Sequence, residues 1–193
     1  VITVGALPDM ITYSDDGNYI LTANEGEPGN DYTNDPAGTV SIIEVNNNYA
    51  VTTIDFAAFV SQEATLKASG LRVFGIGNNF VKDMEPEYVT ISGDSKTAWV
   101  TLQENNAIAK IDIASKTVTN IFPLGFKDYN TNENAIDVSD LDGAVGSFAK
   151  WPVKGVYMPD AISLFEYNGI PYLFTANEGD AREYTALTEA KRV

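Results

Sequence analysis

The hexapeptide "TANEGE" at residues 22–27 returns as "TANEGD" at residues 175–180. Each copy follows a matching lead-in. "PDMITYSDDGNYILTANEGE" spans residues 8–27, and "PDAISLFEYNGIPYLFTANEGD" spans residues 159–180. A more divergent copy, "EPEYVTISGDSKTAWVTLQENN", lies between them at residues 85–106. The lead-in Pro precedes the later Glu by 17 residues from Pro8 to Glu25, 18 from Pro86 to Glu104 and 19 from Pro159 to Glu178. A repeat of this length constrains the fold more than any other feature, because each copy must build the same supersecondary unit.

That unit reads as a β-hairpin. Ile11 and Tyr13 alternate before the turn "SDDGN", and "YILTA" follows. "YVTIS" leads through "GDSK" to "TAWVTL", and "AISLFEY" turns at "NG" into "IPYLFTA". β-branched and aromatic residues around Asp-Gly and Asn-Gly are strong hairpin signals. Two further strands follow in two copies: "GTVSIIEV" with "YAVTTIDF", and "AIAKIDI" with "KTVTNIF". Four antiparallel strands per unit is the make-up of a propeller blade. A β-sandwich would not repeat a four-strand unit with the same acidic ending. The expected fold is therefore all-β, a β-propeller fragment of about two and a half blades with two long insertions. The blades fall at residues 8–56 and 84–123, with a partial blade at 159–193. The insertions fall at 57–83, with a short helix ending at Gly70, and at 124–158. Repeat starts are 78 and 73 residues apart, against about 40–50 for a plain blade, and the insertions take up the excess. Two and a half blades do not close a ring, so the remainder of a parent propeller or a second copy is expected to complete it. The chain opens at Val1 and stops at "EAKRV", and reads as a fragment.

The loop into a blade's first strand and the loop between its second and third strands share one face. The acids after the lead-in prolines, Asp9, Glu87 and Asp160, should therefore meet those after the second strands, Glu25, Glu104 and Glu178. Glu27, Glu85 and Asp180 flank them. Like charges in a ring raise one another's pKa. A hard, oxygen-seeking cation such as Ca²⁺ or Mg²⁺ relieves this, and Asn24 and Asn177 could add carbonyl oxygens. The competing reading is that Asn-Glu-Gly simply makes a turn. "DVSDLDGA" places Asp137, Asp140 and Asp142 before a glycine, as secondary metal candidates, but its spacing fails the helix–loop–helix calcium rule. Arg182 is placed to pair with Glu178 or Asp180, or to contact an anion such as phosphate. "GIGNN" at residues 75–79 lacks the third glycine of a dinucleotide site, and no organic cofactor is expected. Trp99 and Trp151 are expected in the core.

Composition excludes much of the remaining chemistry. There is no cysteine, hence no thiolate metal site, and no histidine, hence no Ser-His-Asp triad or zinc HExxH site. Twelve basic residues face 27 acidic ones, a net charge of −15. Such a surface repels nucleic acid and anionic membranes. No run approaches the length of a membrane span, so this segment is not expected to insert.

The segments "LPDMITYSDDGNYILTANEGEP", "VKDMEPEYVTISGDSKTAWVTLQENNAIAKIDI", "PLGFKDY" and "WPVKGVYMPDAISLFEYNGIPYLFTANEGDAREY" resemble the bacterial choice-of-anchor I proteins. Relatives of that family carry the label mesenchyme-specific cell surface glycoprotein. The resemblance covers essentially the whole chain. It implies a secreted or surface-attached propeller related to YVTN-repeat propellers, in an extracellular, periplasmic or cell-surface setting. Some members are labelled alkaline phosphatase, but this chain has neither that enzyme's nucleophile motif nor a histidine ligand. The expected function is a binding or scaffold module with a Ca²⁺-binding acidic top face. A metal-dependent phosphoesterase, of alkaline phosphatase or phytase type, and a lactonase-like hydrolase are the alternatives.

Overall fold

The computed structural model describes residues 1–77 and 79–191. Asn78, in the expected first insertion and in "GIGNN", and Arg192 and Val193, at the end of the expected partial blade, lie outside the described residues. The fold is all-β. Strands β1 (Pro8–Tyr13), β2 (Tyr19–Asn24), β3 (Thr39–Glu44) and β4 (Ala50–Ile54) form one four-stranded antiparallel sheet in sequence order. Strands β5 (Pro86–Ile91), β6 (Thr97–Leu102), β7 (Ala107–Asp112) and β8 (Thr117–Pro123) repeat it. Two residues each make β9 (Lys127–Asp128) and β10 (Lys154–Gly155), a small ribbon. A third unit is a hairpin of β11 (Pro159–Tyr167) and β12 (Ile170–Asn177). The first strands lie side by side, β5 touching β1 on one side and β11 on the other. Sheets arrayed about their innermost strands are propeller blades, two whole and one half.

The repeat is visible in the backbone. At the tip of the first hairpin, Ser14 N–H bonds Tyr19 O at 2.9 Å and the Ser14 hydroxyl bonds Asp16 Oδ1 at 2.6 Å. The second hairpin repeats this: Ser92 N–H to Thr97 O at 2.8 Å, and Ser92 hydroxyl to Asp94 Oδ1 at 2.7 Å. At the opposite end, the first strand of every copy breaks register just after its proline, between Pro8 and Met10, Pro86 and Val89, and Pro159 and Ile162. A bulge re-aims the side chain it carries, and in each copy that side chain is the acid.

The second blade is covered on both faces, and its β6 is buried throughout after Thr97. One face meets Leu21, Ala23, Val40 and Ile42 of the first blade. The other packs Trp99 and Ile108 against Ile162 of the half blade. The first insertion closes the first core with Phe59, Leu66, Leu71 and Phe80. A 3₁₀ turn (Ala57–Gln62) runs into α1 (Glu63–Ala68). The helix stops where Gly70 turns to a φ of +108°, Gly70 N–H bonding Lys67 O and Leu71 N–H bonding Leu66 O. This is a Schellman cap, and Leu66 and Leu71 supply its apolar contact. Trp151 corrects the expectation for the core. It is 39% exposed, because the second insertion runs outward from the sheets. The outer faces are open as well, with Ile11 64% and Phe174 62% exposed. Among the described residues no helix is long and apolar enough to cross a membrane.

Asn106 fastens both insertions to the second blade. It is fully buried, and its Nδ2 donates to Gly70 O at 3.2 Å and Gly125 O at 2.7 Å. Its Oδ1 accepts from the backbone N–H of Tyr157 at 3.0 Å and of Met158 at 3.2 Å. Removing it strands four backbone groups, each costing roughly 1–3 kcal/mol where water does not reach. Urea unfolding of Asn106→Ala should show a loss of about 3 kcal/mol with the m-value unchanged. A loss below about 1 kcal/mol would mean water replaces all four bonds.

Candidate functional site: an acidic cleft on the top face

Strand pairing sets where the acids go. Pro8 pairs with Asn24, Pro86 with Leu102 and Pro159 with Asn177. The residue after each proline therefore sits at the same end of the sheet as the residues that leave the second strand. Asp9, Glu25, Glu87, Glu104 and Asp160 come together there, close enough to repel one another, and Asp180 joins them. Glu178 does not. It is exposed and faces a second cleft beside Lys127 and Tyr129. Asp180, two residues on, lines the acidic cleft instead.

The crowded acids are also buried. Glu87 is 8% and Glu104 6% exposed. Burial pushes Glu87 up to about 10, with Glu104, Glu25 and Asp160 adding to it. A side-chain hydrogen bond joins Glu87 to Glu104; it raises Glu87 and lowers Glu104, as when Glu87 donates the proton. Gln103, with its amide oriented to suit its neighbours, donates Nε2 to Glu87 Oε1 at 3.1 Å. Burial, then the charge on Glu27, pushes Glu25 up to about 7. Burial also raises Asp9, with Asp160 next.

Asn24 is no ligand. It is fully buried, and its Nδ2 donates to Thr39 Oγ1 at 3.2 Å and Ser41 Oγ at 3.0 Å while Oδ1 accepts from Thr22 at 2.9 Å. Asn177 keeps only the equivalent bond from Thr175, at 2.9 Å. This explains the repeated spelling of "TAN" within the chain: in both copies the Thr hydroxyl bonds the Asn side chain at the end of the second strand.

Arg182 is buried, its side chain 1% exposed. It pairs neither with Glu178 nor with Asp180. Its Nη1 donates to Asp83 Oδ1 at 2.5 Å, and Nη2 lies 2.6 Å from Glu85 Oε2. Asp83 also accepts from the backbone N–H of Phe74 at 2.8 Å and Gly75 at 2.9 Å. Arg182 stacks 4.6 Å from the Phe74 ring centre, with Arg72 at 4.3 Å. Burial pushes Glu85 up to about 9, against the pull of Arg182. The two carboxylates outweigh burial on Arg182 itself and raise it. Arg182 is thus the charged partner, and Asp83 answers its charge with hydrogen bonds of good geometry. Glu85 Oε2, although close, makes no hydrogen bond. Asp83 and Phe74 lay beyond the repeat, and only the acid-rich "KDMEPE" hinted at Asp83; Glu85 opens the middle copy and by the repeat should flank the acids rather than face Arg182.

Residues 179–184 leave the half blade and form one wall of a cleft of about 480 Å³, facing Glu25, Glu27 and Glu104. The Tyr184 hydroxyl donates to Glu27 Oε1 at 2.8 Å, and burial raises the Tyr184 pKa. Glu104 Oε2 is buried at the cleft without a hydrogen-bond partner. Among the described residues no three acids yet stand close enough to grip one ion unaided. The secondary metal candidates make turns instead. Asp137 Oδ2 accepts from the backbone N–H of Gly146 at 2.9 Å and Ser147 at 3.0 Å, and Asp142 Oδ1 from Ala144 at 2.9 Å. Asp140 lies in the same exposed loop.

A β-propeller array with an acidic top face is thus the class that fold and site define. The choice-of-anchor I domain model matches residues 1–193, and the chain belongs to that family, a module of cell-surface or extracellular proteins. Among curated proteins, none matches this chain. Hydrazine synthase of Kuenenia stuttgartiensis is a similar solved structure at 19% identity and TM-score 0.37, over 66% of this chain and 28% of that one. A "putative 6-phosphogluconolactonase" of Bacteroides fragilis is another, at 19% identity and TM-score 0.33, over 61% and 26%. The chain spans about a quarter of the length of these two structures.

The raised carboxyls carry a sign. An acid whose folded pKa exceeds its unfolded value stabilises the fold below the unfolded pKa and loses that effect as pH rises through the folded value. For Glu25 the loss runs from the usual carboxylate range to about 7, and for Glu87 to about 10. Without divalent ions, calorimetry should show the Tm falling between pH 5 and pH 9. Glu87→Gln, a neutral isostere, should flatten that fall. An equally steep fall in Glu87→Gln would place the titration elsewhere.

Proposed function

We propose that the chain is a cell-surface binding module whose acidic cleft takes up a hard divalent cation, Ca²⁺ or Mg²⁺. The observation that carries this reading is Glu104 Oε2, buried at the cleft with no partner, beside Glu25 and Asp180. A buried carboxylate left unpaired costs several kcal/mol. A cation adds an attraction to each carboxylate that offsets the repulsions in the cluster. Only oxygen donors line the cleft's acidic side, which suits hard ions that complete their shell with water. Glu25, Glu104 and Asp180, one from each blade unit, would hold the ion through its water shell, with Glu27 at the rim and Asp9, Glu87 and Asp160 behind. The cleft favours binding over phosphoester hydrolysis. Its one cation among the described lining residues, Arg182, is committed to Asp83 and Glu85, so no basic side chain faces a phosphate.

The open edge of the half blade is completed by further propeller strands, from the same polypeptide or from a second copy. Asn177 Nδ2 lacks the two hydroxyl partners that β3 gives Asn24. Phe165, Tyr167, Ile170, Tyr172 and Phe174 stand exposed on the same hairpin. Covering them at roughly 2 kcal/mol each would add about as much as the whole stability of a small domain. Sedimentation velocity separates the two sources. A concentration-dependent dimer abolished by Phe165→Ser with Phe174→Ser assigns the edge to a second copy, and a monomer assigns it to strands in cis.

Calorimetric titration of EDTA-treated protein with CaCl₂ or MgCl₂ tests the cation site. Saturable binding and a higher Tm are expected, both weakened at least tenfold in affinity by Glu104→Gln or Glu25→Gln. No heat and an unchanged Tm would overturn the reading.

A further inference from the structure

The second insertion holds a cleft that the acidic face does not use. It measures about 320 Å³ and is walled by Tyr129 and Tyr157, with Lys127, Asn177 and Glu178 at its polar positions. The walls are fixed. Tyr157 is held by Asn106 of the second blade, as described above. The Tyr129 ring lies against Gly155, where an added Cβ would come within 2.6 Å of Cε2. The backbone N–H groups of Tyr129 and Trp151 bond across the ribbon, to Val153 O and Tyr129 O, each at 3.1 Å.

The charge pattern here departs from the rest of the chain. The described ion pairs take up Lys67, Arg72, Lys82, Lys96, Lys116 and Arg182. Lys127 and Lys154 lie instead over aromatic rings, Lys127 Nζ 5.4 Å from Tyr129 and Lys154 Nζ 5.9 Å from Phe126. On a protein of net charge −15, two lysines held on aromatic faces rather than by carboxylates form a local cationic, ring-binding surface. Beside them Glu178 offers an acceptor.

We infer that this cleft binds an acidic sugar ring, one bearing a carboxylate or a sulfate. The two tyrosines wall the ring, Lys127 meets the anionic group, and Glu178 bonds a hydroxyl. The volume suits one or two rings. Glu178 separates this ligand from a nucleic acid: its carboxylate accepts from hydroxyls but repels a phosphodiester chain, as does the net charge of the whole protein. The inference is independent of the cation site, and its test is run in EDTA.

Two tryptophans make the test direct. Trp99 is buried and Trp151, beside Tyr129 in the ribbon, is 39% exposed. Fluorescence is followed while oligogalacturonate, a sulfated dextran oligosaccharide, a cello-oligosaccharide or oligo-dT is added, and Trp151→Phe verifies the reporter. A saturable change with at least one acidic sugar is expected. It should weaken about tenfold with Tyr129→Ala and with Lys127→Met, and weaken in high salt. Lys127→Met alters an exposed side chain and keeps the test decisive should Tyr129→Ala disturb the ribbon. The inference is overturned by no response to either acidic sugar, by equal affinity for the neutral sugar, by tighter binding of oligo-dT, or by acidic-sugar binding that both variants leave intact.

Discussion

The Arg182 guanidinium, sealed between Asp83 and Glu85, joins parts of the chain that are about a hundred residues apart. It belongs to the half blade; Asp83 ends the first insertion and Glu85 opens the second blade. The segment that carries it runs on to the first blade, where Tyr184 bonds Glu27 and Ala186 N–H bonds Asn30 O at 3.1 Å. Glu189 adds an ion pair to Arg72. Each contact crosses the top face. Removing one member of a buried pair leaves an uncompensated charge and typically costs 3–5 kcal/mol. The clamp therefore matters more than any single strand contact for holding three units in one array.

The clamp also sets the electrostatics of the face. Arg182 offsets Glu85 and reaches Glu104 through space, but its guanidinium is spent on Asp83 and Glu85. Glu87, Glu25 and Asp9 receive no such relief. Two responses are open to them: to hold protons, as the Glu87–Glu104 hydrogen bond does, or to share a cation. Both satisfy the same constraint, that carboxylates aimed inward by three bulges cannot all stay ionised without counter-charge.

The breaking of the repeat is as informative as the repeat. Thr22 and Asn24 lock the first blade against β3, whereas Thr175 and Asn177 keep half of that lock. Glu178 lines the sugar-sized cleft and Asp180 the acidic side. One sequence motif thus serves two sites.

The strands, the hairpins and the meeting of five acids were legible in the sequence, because each follows from local rules repeated three times. Alternating β-branched residues make strands, Asp-Gly and Asn-Gly make turns, and nearly equal Pro-to-Glu spacing puts equivalent acids at equivalent ends. What the sequence could not determine is whatever depends on long-range neighbours. No local signal shows that Arg182 would cross to Asp83, that Trp151 would sit outside the core, or that Asp180 rather than Glu178 would face the cleft. Those outcomes depend on which blade lies beside which. Only the tertiary structure decides them, because burial and ion pairing are set by groups far apart in the chain.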